Sequence, residues 1–161
     1  MRRVRASREK IGEWAVAMRA FYEGYELCDD ASRISRETVF RWLHEDAYWS
    51  KGNAREMIER SIDHSFLYGV LDPDGATVGC ARVVTDQATF AWVSDVFVDP
   101  EHRGVGLGTW MVGLVVEDWL QIGVSRVLLV TRDAHQVYSK VGFRPLEHPE
   151  RFMEIDRRTQ R

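Results

Sequence analysis

The sequence predicts an α/β fold in which a mixed β-sheet is flanked by helices, and three observations carry that prediction. Apolar spacing changes from the helical 3.6 period to alternation near residue 65. A glycine-rich turn at residues 103–108 stands between an extended apolar run and a long amphipathic one. A short unbroken apolar stretch, residues 127–130, then reads as a strand buried on both faces. The resulting order is β-α-α-β-β-β-α-β-α-β-β, about seven strands in a single domain over residues 1–161.

Each element has a local reason. Ile11, Trp14, Ala15, Met18 and Phe21 lie near helical spacing, so residues 1–20 read as an extra N-terminal helix or a disordered extension. Residues 21–27 open the first strand. Ser35 caps a helix that runs to residue 46, with Ile34, Val39, Trp42 and Leu43 near one face. Asn53 and Glu56 have capping-box spacing for a second helix, 54–64. Residues 66–71 and 77–85 pair as a hairpin across Asp72-Pro73-Asp74-Gly75. A further strand, 89–98, stops at Asp99-Pro100, because proline has no N–H for the ladder. The helix after the glycine turn carries Leu107, Trp110, Met111, Leu114, Val115, Trp119 and Ile122 on one face and ends at Gly123. Asp133 and Gln136 start a short helix, 134–141, that Gly142 stops. Residues 143–146 and 151–155 read as the final strands.

Composition excludes several classes. A net charge of −3 offers no basic surface for nucleic acid. No apolar run approaches the roughly 20 residues of a membrane span. Arg2, Arg3, Arg5, Arg8 and Lys10 begin the chain, but Glu13 and Arg19 interrupt the apolar stretch a secretory signal needs, so a cytoplasmic location is expected. Cys28 and Cys80 lack CxxC spacing and read as buried thiols, and the five histidines form no HxxxH pair, so no metal site is expected.

The chemistry concentrates at the glycine turn. Gly104, Gly106 and Gly108 let the backbone bend sharply, and the amides of Arg103, Gly104, Val105, Gly106, Leu107, Gly108 and Thr109 can converge on a pyrophosphate at the positive end of the following helix. Arg103 can add charge at the rim. A GxxxxGK[ST] phosphate loop is excluded, since the turn has no lysine. A GxGxxG dinucleotide turn is one residue short at its last interval. A glycine-rich helix start that holds no ligand is the plain alternative.

Arg103-x-x-Gly106-x-Gly108 is similar to the coenzyme A signature of the GNAT superfamily of N-acetyltransferases. Ala134-His135-Gln136-Val137-Tyr138-Ser139-Lys140-Val141-Gly142-Phe143 resembles that family's A-x-x-x-Y-x-x-x-G-F segment. The resemblance extends over residues 22–155. The run Asp46-Ala47-Tyr48-Trp49-Ser50-Lys51-Gly52 is similar to one in small bacterial members.

The resemblance implies a GNAT-like sheet that splays between its fourth and fifth strands, with acetyl-CoA in the gap. Val96, Phe97 and Val98 would supply backbone contacts to the pantetheine arm. Thr131, where many relatives carry asparagine, would bond a pantetheine amide less assuredly. Tyr138 stands where the family often has its general acid, and Asp95 is the candidate base that takes the amine proton. An aspartate in an apolar strand needs a partner or a role. Glu45, Asp46, Tyr48 and Trp49 would line the acceptor pocket. The implied activity is acetyl transfer from acetyl-CoA to an amine of a small molecule or peptide. A non-catalytic acyl-CoA-binding module and a nucleotide-dependent oxidoreductase are the competing readings. Paired C-terminal strands or an open sheet edge would support a homodimer.

Overall fold

The computed structural model describes residues 18–157. Arg19–Tyr22 (β1) and Tyr25–Cys28 (β2) form a tight hairpin with Tyr22 opposite Tyr25. Glu23 (φ 48°) and Gly24 (φ 89°) both occupy the left-handed region, the turn geometry whose twist suits a two-residue hairpin. The sequence predicts one strand over 21–27; a glutamate in the first turn position conceals the break, because Asn-Gly or Asp-Gly is the usual signal. Residues 19 and 20, the end of the segment expected as an extra helix or a disordered extension, are therefore strand, and residues 1–17 lie outside the described residues.

Phe66–Leu71 (β3), Thr77–Thr85 (β4) and Phe90–Val98 (β5) continue the sheet antiparallel, and Arg126–Leu128 (β6) joins β5 in parallel, giving the order β1-β2-β3-β4-β5-β6. The β3–β4 turn forms as expected: Asp72 Oδ1 accepts from the Asp74 and Ala76 amides at 3.0 and 2.8 Å. Among the described residues the sheet has six strands, where about seven were predicted. Residues 143–146 and 151–155 are not strands. Pro145 has no N–H for a ladder, and Pro149–Arg151 closes a 3₁₀ turn just before the second segment. Met153 and Ile155 stand 98% and 91% exposed, so their alternation meets no sheet.

Helices cover both faces. Arg36–Arg41 (α1) is capped by Ser35, whose Oγ accepts from the Thr38 amide at 3.2 Å, and passes into a π-helical turn, Trp42–Asp46. Arg55–Asp63 (α2) starts at Ala54 with no side-chain cap, so the expected Asn53–Glu56 capping box does not form. Leu107–Gln121 (α3) and His135–Ser139 (α4) lie on the opposite face. The period-two alternation of β3 divides the core: Leu67 and Leu71 pack with Val39, Trp42, Leu43 and Ile58, while Tyr68 and Val70 pack with Met111, Val112 and Val115. The α4 segment seats closely on α3 at Gly113, where an added Cβ would lie 3.3 Å from Val141 Cγ1.

Candidate active site

The parallel pair opens early. β5 and β6 are in register at Phe90–Arg126, Ala91–Val127 and Trp92–Leu128, and β5 then continues to Val98 without β6 beside it. The gap lies between the fourth and fifth strands of the predicted order, which are β5 and β6 here. A cleft of about 800 Å³ occupies it, bounded by Val93–Val96 on one side and Val130–Ala134 on the other.

The glycine turn lies just past the C-terminal end of β5. Gly106 (φ 90°) is the N-cap of α3 and brings no capping side chain, so the first α3 amides are left open. Among the described residues, no protein acceptor takes the amides of residues 104–109. Residues 103–106 are exposed. A row of free amides at a helix N-terminus suits a phosphate anion, so the residues present fit the diphosphate of a coenzyme A-type ligand. Arg103 does more than edge the turn: its Nε donates to the Val98 carbonyl at 2.7 Å, and its guanidinium lies 5.2 Å from the Phe97 ring centre. From the other side, the Tyr22 hydroxyl donates to the Val105 carbonyl, and Tyr25 Oη stands 3.0 Å from His102 Nδ1.

Asp95 marks a β-bulge. Cys80 pairs with Phe97 and Arg82 with Ser94, so β5 spends one more residue than β4 over this interval, and Asp95 takes φ 50°. Aspartate tolerates the left-handed region better than most residues, at a cost of about 1 kcal/mol. The bulge turns its carboxylate to the cleft, where Oδ2 accepts from Arg82 Nε at 2.6 Å and Oδ1 from Trp49 Nε1 at 2.9 Å. Arg82 also reaches the Ser61 carbonyl at 3.3 Å and Ser94 Oγ at 3.4 Å. The Arg82 and Asp95 side chains are 14% and 9% exposed. A buried pair of this kind adds little net stability, but removing one partner strands a charge.

Tyr138 reaches the cleft from α4, its ring edge-on to Phe143 at 5.9 Å. Burial, then the neighbouring Tyr48 and Asp133, push its phenol above the ordinary tyrosine value, so it remains a proton donor at neutral pH. Thr131 lines the same wall, but its Oγ1 accepts from the Ala134 amide at 3.0 Å and so organises the start of the α4 loop.

Tyr48 and Trp49 line the cleft, and their rings meet edge-on at 5.0 Å. Glu45 and Asp46 lie exposed on the π-helical turn, away from the cleft lining. Sequence reasoning missed Arg82 and Arg132. Arg82 is a lone cation in the apolar run of β4, the same signal that singled out Asp95 in β5. Arg132 stacks on the Tyr48 ring at 3.7 Å, a contact without local signature. No group of three or more described His, Cys, Asp or Glu residues could hold a metal, and no described helix is long and apolar enough to cross a membrane.

The site is thus a split parallel pair with an amide-lined turn at its mouth. The chain belongs to the acetyltransferase (GNAT) family, whose sequence profile matches residues 34–143. It is similar in structure to a protein of Xanthomonas campestris pv. campestris placed in that family, with a TM-score of 0.76 and 37% identity over 82% of this chain and 92% of that one. The amino-acid acetyltransferase of Aeromonas salmonicida is 28% identical over 110 residues, 68% of this chain and 24% of its own length. A GNAT family acetyltransferase from Elizabethkingia anophelis, solved with acetyl-CoA bound, shares the fold at a TM-score of 0.59 and 13% identity, over 76% of this chain and 78% of that one. The chain spans 36%, 24% and 26% of the curated relatives it matches first.

Proposed function

We propose that the chain transfers an acetyl group from acetyl-CoA to the amine nitrogen of a small molecule or peptide. The observation that carries this reading is the row of amides at 104–109, without a protein acceptor, at the mouth of the split between β5 and β6. Acetyl-CoA, when bound, supplies an acyl carbon activated by its thioester.

The chain's own residues would divide the work. The amides of Gly104, Val105, Gly106, Leu107, Gly108 and Thr109 hold the diphosphate, with Arg103 fixing the turn against β5. The backbone of Val96, Phe97 and Val98 borders the gap as the arm's hydrogen-bonding edge, and Thr131 faces it from the opposite wall. Tyr138 donates from its protonated phenol to sulfur as negative charge develops there, the kind of assistance that contributes about 10²–10⁴-fold. Asp95 receives the acceptor's ammonium and the proton that leaves it. The C–N bond would form as the C–S bond breaks; the phenol of Tyr138 protonates the departing sulfur and is restored by the second proton of the nitrogen, so one proton ends on Asp95 and one on the thiol.

Two measurements test this. Calorimetry with acetyl-CoA, competed by adenosine 3′-phosphate 5′-diphosphate, should show one site per chain. Thiol release in the presence of primary amines should exceed the amine-free rate. A protein that gives no heat with acetyl-CoA, or whose binding ignores the nucleotide fragment, does not use the turn as described.

A further inference from the structure

The cleft beyond Asp95 carries its own chemical signature. Two ion pairs line it, Arg82–Asp95 at 2.6 Å and Arg132–Asp133 at 3.6 Å. Neither pair contributes net charge. Arg82 is committed at Nε to Asp95, with its outer nitrogens near the Ser61 carbonyl and Ser94 Oγ, so it is not poised for an anionic guest. Arg132 lies flat on Tyr48. The remaining wall sets the aromatic and apolar side chains of Tyr48, Trp49, Trp92 and Met57 beside the polar groups of Ser50, Asn53 and Ser61.

From this we infer that the acceptor is a primary monoamine on an apolar or aromatic body, received by Asp95; the inference rests on the acetyltransferase reading and names its acceptor class. Each Asp95 oxygen accepts one bond from the protein, from Arg82 or Trp49, and a carboxylate has about four acceptor positions, so room remains for an ammonium. The Trp49 and Tyr48 rings beside it add a cation–π surface, which strengthens as water is excluded. An acceptor with its own carboxylate or phosphate would meet Arg82 already bonded to Asp95, and Arg132 stacked on Tyr48 with Asp133 3.6 Å away. A polyamine would have to bring its second ammonium to Asp133, whose charge Arg132 already balances at 3.6 Å. Burying either extra charge without a partner is costly, and that cost is the source of selectivity.

The experiment follows thiol release from acetyl-CoA with four probes: 2-phenylethylamine, spermidine, L-glutamate and glucosamine 6-phosphate. The expected kcat/KM for 2-phenylethylamine exceeds each of the others by roughly 100-fold. Asp95→Asn, a residue that also tolerates the left-handed bulge, should lower that value roughly tenfold or more and leave acetyl-CoA affinity within about threefold. Trp49→Phe keeps a ring and removes the N–H, and should raise the KM for 2-phenylethylamine with kcat held. A readout independent of turnover is the Trp49 indole N–H resonance, assigned by its loss in Trp49→Phe; 2-phenylethylamine should shift it and L-glutamate should not. Preference for glutamate, spermidine or the sugar phosphate overturns the acceptor class and leaves acetyl transfer standing. An indole shift without thiol release upholds the acceptor class and defeats the transfer. The absence of both an indole shift and a preference for 2-phenylethylamine rejects the inference outright.

Discussion

The Tyr22 hydroxyl donates to the Val105 carbonyl at 3.1 Å, joining residues 83 apart in the chain. The same ring stacks on Trp110 of α3 at 5.5 Å, and its oxygen lies 3.6 Å from the position of a Cβ on Gly106. A tyrosine of the first hairpin thus braces the glycine turn from outside. Tyr22→Phe keeps the stacking and removes one neutral hydrogen bond of about 1 kcal/mol, so acetyl-CoA binding should weaken about fivefold. Calorimetry on the folded variant reads this directly. An unchanged dissociation constant would show that the turn holds its shape without the brace.

Tyr138→Phe should lower kcat by at least about tenfold and leave acetyl-CoA affinity unchanged, because the ring packing on Phe143 survives and only the donor is lost. The pH profile carries a second expectation. Since burial raises the phenol above its ordinary value of about 10, the group stays protonated through neutral pH, and any loss of rate from its ionisation belongs above pH 10. Stopped assays across the alkaline range measure this. A rate falling between pH 7 and 9 in wild type but not in Tyr138→Phe contradicts the assignment.

Gly69 tests how the α1 layer sits on the sheet. A Cβ there would lie 2.6 Å from Ile34 Cγ1, and Ile34 is buried, so it has little room to yield. Gly69→Ala should cost about 1–3 kcal/mol through overpacking. Denaturant unfolding monitors it; an alanine variant as stable as wild type would mean that the loop before α1 moves aside freely.

Acid stability should report on Glu26. Arg33 donates to both of its oxygens and Arg19 adds a third bond, and these contacts hold the carboxyl down to about 2. Its folded value lies below its unfolded one, so the stabilisation is complete above roughly pH 4.5 and is lost as pH falls towards about 2. The arginine partners are 53% and 36% exposed, and solvent screening reduces the effect to on the order of 1–2 kcal/mol. Glu26→Gln should remove that part of the acid transition while changing stability above pH 5 in the opposite, destabilising sense. Thermal melts from pH 2 to 7 compare the two proteins. Parallel curves would show that the triad contributes nothing.

How much was legible follows from range. β3 and β4 were placed residue for residue, and the long helix nearly so, because alternation and the 3.6 period act over a few neighbours. The glycine turn was legible for the same reason, since φ near 90° at Gly104 and Gly106 is a local demand on the backbone, whereas Tyr138 was singled out by the family resemblance and not by the helix pattern around it. The final strands failed because a strand requires a partner edge, and nothing within residues 143–155 says whether one is offered.

The cleft itself was of the second kind. Asp95, Arg82 and Trp49 belong to three elements, and no spacing in the chain relates them. Their meeting depends on the register between β4 and β5, and one extra residue in the bulge turns the Asp95 side chain towards Arg82 and the indole. Backbone preferences are written in neighbouring residues, whereas the company a buried carboxylate keeps is set by packing across the sheet, after the chain has folded.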